Sequence, residues 1–266
     1  MSYTENYRKL PCITSVTSTV CALMGVAPPA HATTAAYDEI LSRASGEIEK
    51  CLIYAPDAIG YDLCTAYSSL FEKIKQHAPQ EVLVQSVFPS VTPVCFASMF
   101  TGAMPRVHGI QQYERPVLTC DTLFDALVRA KKRVAIVAVK NSSIDLIFKN
   151  RKLDYFSEAY DPEVTERVIK LLKAAEHDFI LAYHQEYDDT LHRTTPFRAE
   201  CIQALEVHIE SFERLAKEFE RAWGKYKRAL FSAPDHGGHV DPITGKGTHG
   251  EDIPEDMVVK HFVRLA

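Results

Sequence analysis

The chain has 266 residues, of which 46% are hydrophobic and 24% charged, with a formal net charge of −5. That is enough apolar sequence for a sizeable core, and the scattered Lys and Arg residues form no basic footprint for a nucleic-acid polymer or an anionic membrane. No run reaches the ~18 apolar residues of a membrane-spanning helix, so a small-molecule partner is the expectation and oligomeric state stays open.

In chain order, the first distinctive segment is "CITSVTSTVCALMGVAPPAHA" (12–32), which follows Arg8 and Lys9 and ends in an Ala-x-Ala-like tripeptide. It loosely resembles a secretory signal, but Ser and Thr dilute its apolar core and Glu5 precedes it. The reading adopted is an N-terminal helical segment over 1–45 that packs on a single domain spanning 1–266. Cysteines at 12, 21, 51, 64, 95, 120 and 201 are odd in number, irregular in spacing and lack a Cys-x-x-Cys pair. They argue against a disulfide framework and for a reducing, cytoplasmic location, with export as the alternative that the N-terminus keeps open.

Apolar runs of strand length follow at 50–56, 81–88, 133–139, 178–184, 228–234 and 260–266, separated by helix-period stretches at 61–77, 93–101, 120–132, 161–176 and 197–224. Alternation of this kind implies crossover connections, hence an α/β three-layer sandwich whose central sheet is mostly parallel and flanked by helices.

In such sheets ligands collect beyond the carboxyl ends of the strands. Asp57 follows the first run and Thr92 the second; Asp188 and His192 follow "FILAYHQEY", and Asp235 and His236 follow "ALFSAP". His249 joins them from the loop "GKGTHGEDIPEDM". Each has an ordinary explanation alone: a helix cap for Asp57, a surface i, i+4 pair for Asp188 and His192, turn chemistry for Asp235 and His236, a solvated loop for His249. Together, three Asp and three His on one rim repel as carboxylates unless cations join them, and two divalent metals resolve the conflict.

"PDAIGYD", "FPSVTPVCFASMFTGAMPRVHGI", "YHQEYDDTLH", "SAPDHGGH" and "THGEDIPEDM" stand in one order from about residue 50 to 260. Together they resemble the nucleotide pyrophosphatase/phosphodiesterase branch of the alkaline phosphatase superfamily. The resemblance implies an alkaline-phosphatase-like fold and a two-metal phosphoric-ester hydrolase, a phosphodiesterase or nucleotide pyrophosphatase acting on small phosphate esters through a phospho-threonine. It implies that Asp57, Thr92, Asp235 and His236 hold one metal, that Asp188, His192 and His249 hold the other, and that Thr92 is the nucleophile. The donor set of hard oxygen and borderline nitrogen suits zinc and tolerates manganese. Thr92 precedes Pro93 at a helix start, where free N–H groups and the dipole favour an anion; Ser90 is its nearest competitor.

The chain departs from the family pattern at Cys95, where relatives carry an Asn that holds a phosphoryl oxygen. Cys95 is a poor donor at a position expected to line the phosphate pocket. This keeps open a phosphomonoesterase or phosphonate hydrolase on the same site, and a metal-binding, non-catalytic homologue. A sulfatase is disfavoured, because no Cys/Ser-x-Pro-x-Arg segment occupies the nucleophile turn. His108 reads as a structural histidine that bonds its own loop.

Overall fold

The computed structural model describes residues 6–266; the first residues of the N-terminal segment, Glu5 included, lie outside the described residues. Its centre is a seven-stranded sheet built from β1 (Lys50–Pro56), β2 (Gln80–Gln85), β3 (Val134–Val139), β4 (Asp154–Glu158), β5 (Phe179–His184), β6 (Arg228–Ser232) and β9 (Val258–Leu265). The strand order is β2-β9-β6-β1-β5-β3-β4. A two-stranded ribbon, β7 (His239–Val240) with β8 (Gly247–Thr248), lies in the loop before the last strand.

The sheet separates two apolar layers because successive side chains of a strand point to opposite faces. In β1, Cys51, Ile53 and Ala55 join one buried cluster while Leu52 and Tyr54 join the other. β5 divides in the same way, Phe179, Leu181 and Tyr183 against Ile180 and Ala182. On the first face pack α1 (Ser15–Leu23), α3 (Thr92–Thr101) and α4 (Leu123–Arg129); on the second pack α2 (Ser68–His77), α5 (Asp161–Ala174) and α7 (Ala199–Trp223). The short α6 (Glu186–Arg193) follows β5 at the rim. Strands buried on both faces read as continuous apolar runs, which is why "VAIVAV" and "FILAYH" show no alternation.

Six of the seven strands share one direction; β9 alone runs antiparallel to both neighbours, β2 and β6. β4 escaped the sequence reading because it is an edge strand with a half-exposed pattern. In α1 the threonine hydroxyls that dilute the apolar pattern are buried and bonded: Thr17 donates to the Met99 carbonyl of α3 (2.7 Å), and Thr19 donates to the Ser15 carbonyl while accepting from Tyr37 N–H. A buried hydroxyl with an acceptor costs little, so this segment packs under α3 despite its polarity. No helix among the described residues is long and apolar enough to cross a membrane.

Candidate metal centre and nucleophile

The carboxyl ends of β1, β5 and β6 lie side by side, so the residues that follow them meet at one rim. Asp57 leaves β1 with its N–H bonded to the His184 carbonyl of the neighbouring strand. Asp235 and His236 leave β6 and enter a turn that only glycine permits: a Cβ at Gly237 stands 2.0 Å from the Glu255 carbonyl oxygen. Asp188 and His192 lie one turn apart on α6, and His249 comes from the loop after β8.

These residues form two groups whose ligating atoms cluster within 4.8 Å, Asp57 with Asp235 and His236, and Asp188 with His192 and His249. Thr92, the first residue of α3, places its Oγ1 3.3 Å from Asp57 Oδ1 and 3.4 Å from His236 Nε2. Within the first group His236 Nε2 lies 3.4 Å from both Asp57 Oδ1 and Asp235 Oδ2. Within the second, Asp188 Oδ1 is 3.5 Å from His192 Nε2 and 3.3 Å from His249 Nε2.

Hydrogen bonds set the histidine tautomers. His236 Nδ1 donates to the Gly237 carbonyl (2.8 Å), His249 Nδ1 to the Ser90 carbonyl (2.9 Å) and His192 Nδ1 to the Gly247 carbonyl (3.3 Å). A carbonyl only accepts, so each Nδ1 carries a proton and each Nε2 is turned toward the carboxylates. Two of the carboxylate oxygens there, Asp188 Oδ1 and Asp235 Oδ2, are buried with no hydrogen-bond partner. Orphaned buried oxygens facing imidazole nitrogens are a donor set that fits divalent cations.

The electrostatics agree. Burial, and then the neighbouring Asp188, push the carboxyl of Asp57 well above its ordinary range; burial and Asp57 do the same to Asp235. Burial drives His236 down to about 3. Burial opposes the charge of His249 too, but the Asp188 carboxylate 3.3 Å away outweighs it and raises that histidine to about 9. For Asp188 the burial penalty is outweighed by His249 and His192, which hold its carboxyl below the usual range. A proton on His249 thus stands where a cation relieves the same repulsion.

The remaining expectations fare differently. Ser90, the competing hydroxyl, donates to the Glu251 carbonyl (3.1 Å), while Thr92 faces Asp57. Cys95 is fully buried, with Sγ 3.2 Å from Ser86 Oγ, and is not among the residues lining the cavity at Thr92; its expected contact with phosphate finds no support in this placement. All ten residues of α3 are buried, so a side chain one turn beyond Thr92 packs into the core beneath the site. His108 accepts from Ile110 N–H through Nδ1 and bonds Ser98 Oγ through Nε2 (2.8 Å), which ties its loop to α3.

Two contributors escaped the sequence reading. Tyr183 donates its hydroxyl to Asp57 Oδ2 (2.5 Å), fixing that carboxylate from β5. Asp256 accepts from Glu251 N–H and pairs with His239 Nδ1 (2.7 Å), bracing the loop of His249. The only signal for Tyr183 was strand alternation placing it on the face of Phe179 and Leu181, where an aromatic reads as core.

An open cavity of about 180 Å³ adjoins Thr92, Asp57 and Asp188, and Tyr113, Arg115, Lys140 and Asn141 are among its other lining residues. Arg115 donates to the Asn141 carbonyl (2.8 Å), and neither Arg115 nor Lys140 makes a salt bridge among the described residues.

Several solved structures share this architecture. Murine ectonucleotide pyrophosphatase/phosphodiesterase 5, as an inactive variant in complex with AMP, superposes with a TM-score of 0.59 at 17% identity, covering 72% of this chain and 57% of that one. The human counterpart gives 0.58 at 17% identity over 71% and 57%. Phosphonoacetate hydrolase from Sinorhizobium meliloti 1021, in complex with phosphonoformate, gives 0.52 at 20% identity over 72% and 57%. The chain therefore spans little more than half the length of these neighbours. No curated protein matches in sequence. The type I phosphodiesterase / nucleotide pyrophosphatase family matches over residues 57–239, a range that holds Asp57, Thr92, Asp188, His192, Asp235 and His236 but not His249. The fold is that of the alkaline phosphatase superfamily, and the chain belongs to its type I phosphodiesterase / nucleotide pyrophosphatase family.

Proposed function

We propose that this protein hydrolyses small phosphate esters, with a phosphodiester or pyrophosphate as substrate and Thr92 as nucleophile. The observation that carries the reading is that three Nε2 atoms face buried carboxylates, two of whose oxygens are orphaned, on the same rim where the Thr92 hydroxyl meets Asp57 and His236. Asp57, Thr92, Asp235 and His236 would hold one divalent cation and Asp188, His192 and His249 a second, zinc by donor type or manganese. When bound, such cations supply the positive charge that favours a threonine alkoxide and offsets charge on the phosphoryl oxygens.

The chain's own residues account for the rest. Asp57, oriented by Tyr183, and His236 aim Thr92 Oγ1 into the cavity. The start of α3 turns its positive dipole end to the same place. Thr92 Oγ1 forms a bond to phosphorus as the bond to the leaving-group oxygen breaks and that oxygen takes a proton. Water then attacks phosphorus, the Thr92 oxygen leaves, and the hydroxyl regains its proton.

A second reading, a phosphomonoesterase or phosphonate hydrolase, is favoured by the cavity itself. At about 180 Å³ it is smaller than pockets that enclose drug-sized ligands, and Arg115 and Lys140 suit a small anionic leaving group. The test is hydrolysis of bis-p-nitrophenyl phosphate, a thymidine 5′-phosphodiester, p-nitrophenyl phosphate and phosphonoacetate after zinc or manganese reconstitution. Faster turnover of the diesters, lost by about 100-fold or more in T92A but not in S90A, is expected. Preference for the last two substrates moves the assignment to the second reading. Absence of turnover on all four with two metals bound leaves a metal-binding homologue.

A further inference from the structure

A third group of metal-type side chains lies behind the site: Asp161 at the start of α5, His184 at the end of β5 and His208 on α7, all buried. Its spacing resembles that of the other two, with Asp161 Oδ2 3.5 Å from His208 Nε2 and 3.8 Å from His184 Nδ1. The hydrogen bonds set it apart. No side-chain polar atom of these three residues is orphaned, whereas Asp188 and Asp235 each leave an oxygen unpaired.

The proton directions can be traced. His208 Nε2 accepts from Tyr187 N–H (3.1 Å), so the neutral ring carries its proton on Nδ1 and donates it to Tyr54 Oη (3.0 Å). Tyr54 in turn lies within bonding distance of His184 Nδ1 (3.2 Å) and of the His208 carbonyl (3.1 Å). His184 Nε2 faces Thr165 Oγ1 (3.2 Å), which donates to the Asp161 carbonyl (3.2 Å). The Asp161 carboxylate accepts from Gln185 N–H (3.0 Å) and Glu186 N–H (2.9 Å).

Three consecutive backbone donors, Gln185, Glu186 and Tyr187, are therefore all taken by side chains of α5 and α7. These are the donors that a helix leaves open at its N-terminus, and Gln185 supplies no side-chain cap of its own. The helix they open is α6, which carries Asp188 and His192.

We propose that Asp161 and His208 are positioning residues: they cap α6 from two other helices and so set the rotation at which Asp188 and His192 face His249. This rests on the reading of Asp188, His192 and His249 as a metal half-site. A positioning role predicts a selective effect, because Asp57, Asp235 and His236 are carried by the ends of β1 and β6, whereas Asp188 and His192 are carried by α6 itself.

The test is zinc binding by calorimetry on the full chain, with D161A, D161N, H208L and H208Q beside the parent. D161A and H208L remove the acceptors; they are expected to weaken one of the two zinc equivalents by about 10–100-fold and to leave the other within about twofold. D161N keeps an oxygen acceptor and H208Q can offer one to Tyr187 N–H, so both are expected to recover much of the loss; this pair serves if an alanine or leucine variant does not fold. Two parent-like equivalents in both D161A and H208L overturn the positioning role alone. Equal weakening of both equivalents overturns it in favour of a general structural role, and a third equivalent in the parent that D161A abolishes overturns it in favour of a metal site. A parent that binds no zinc overturns instead the half-site reading on which it rests.

Discussion

The Nε2 atoms of His192 and His249 face one another at 3.0 Å, each ring having committed its Nδ1 proton to a backbone carbonyl. Two lone pairs at that distance repel; a proton or a metal ion between them removes the repulsion.

That relationship gives the metal-free protein a pH dependence. His249 is raised from its ordinary value of 6.5 to about 9, so its contribution to stability is fully present below 6.5 and is lost as pH rises through about 9. Asp57 and Asp235, also raised, act in the same direction, each becoming a buried charge as pH rises. The Tm of metal-free protein is expected to fall between about pH 6.5 and 9.5, and saturating zinc is expected to flatten that fall because metal takes the protons' place. Elemental analysis is expected to find two equivalents of divalent metal, and one in H249A. A metal-free Tm that climbs across the window would count against this arrangement.

Tyr183→Phe removes the hydroxyl that holds Asp57 Oδ2 and leaves a buried carboxylate oxygen without its donor. The fold is expected to persist, since the ring still packs edge-on to Phe96 with centroids 5.5 Å apart. Affinity for the metal of the Asp57, Asp235 and His236 group is expected to drop about 10-fold or more, as for other groups that orient ligands. Parent-like affinity for both metals would show that Asp57 is held adequately without Tyr183.

Cys95→Asn introduces the residue that the family resemblance implies, at a position that is fully buried. The Cys95 side chain is fully buried against Ser86, whose hydroxyl donates to the Asp235 carbonyl (2.6 Å). Asn adds volume and polar atoms there, and a loss of about 1–3 kcal/mol in denaturant unfolding is expected, without a gain in diesterase rate. A faster, equally stable variant would place the side chain in the phosphate pocket after all.

Arg115 and Lys140 test the leaving-group side of the cavity. Removing both charges, as R115Q with K140Q, is expected to raise KM for a substrate with an anionic leaving group by about 10-fold or more while leaving a neutral p-nitrophenol leaving group within about twofold. Equal effects on both substrates would point to a general electrostatic contribution instead of recognition of the leaving group.

The sequence by itself determined the layered α/β architecture and most of the rim. Runs such as "VAIVAV" and "FILAYH" are apolar at every position because both faces are covered. Asp57, Asp188 and Asp235 stand out because they follow such runs. His192 is legible because i, i+4 spacing stacks it over Asp188 on a helix. Strand direction was not legible, because the composition of β9 is the same whichever way it runs. Nor was the depth of Cys95, which depends on the phase of α3 against β2 and α1 rather than on its distance from Thr92 along the chain. Tyr183 looked like any core aromatic until β1 brought Asp57 beside it. Asp161, His184 and His208 lie 23 and 24 residues apart on three different elements; only packing of α5 and α7 over the end of β5 makes them neighbours. Periodicity records which face of an element is buried, whereas a hydrogen bond between elements depends on their mutual placement, which tertiary packing alone decides.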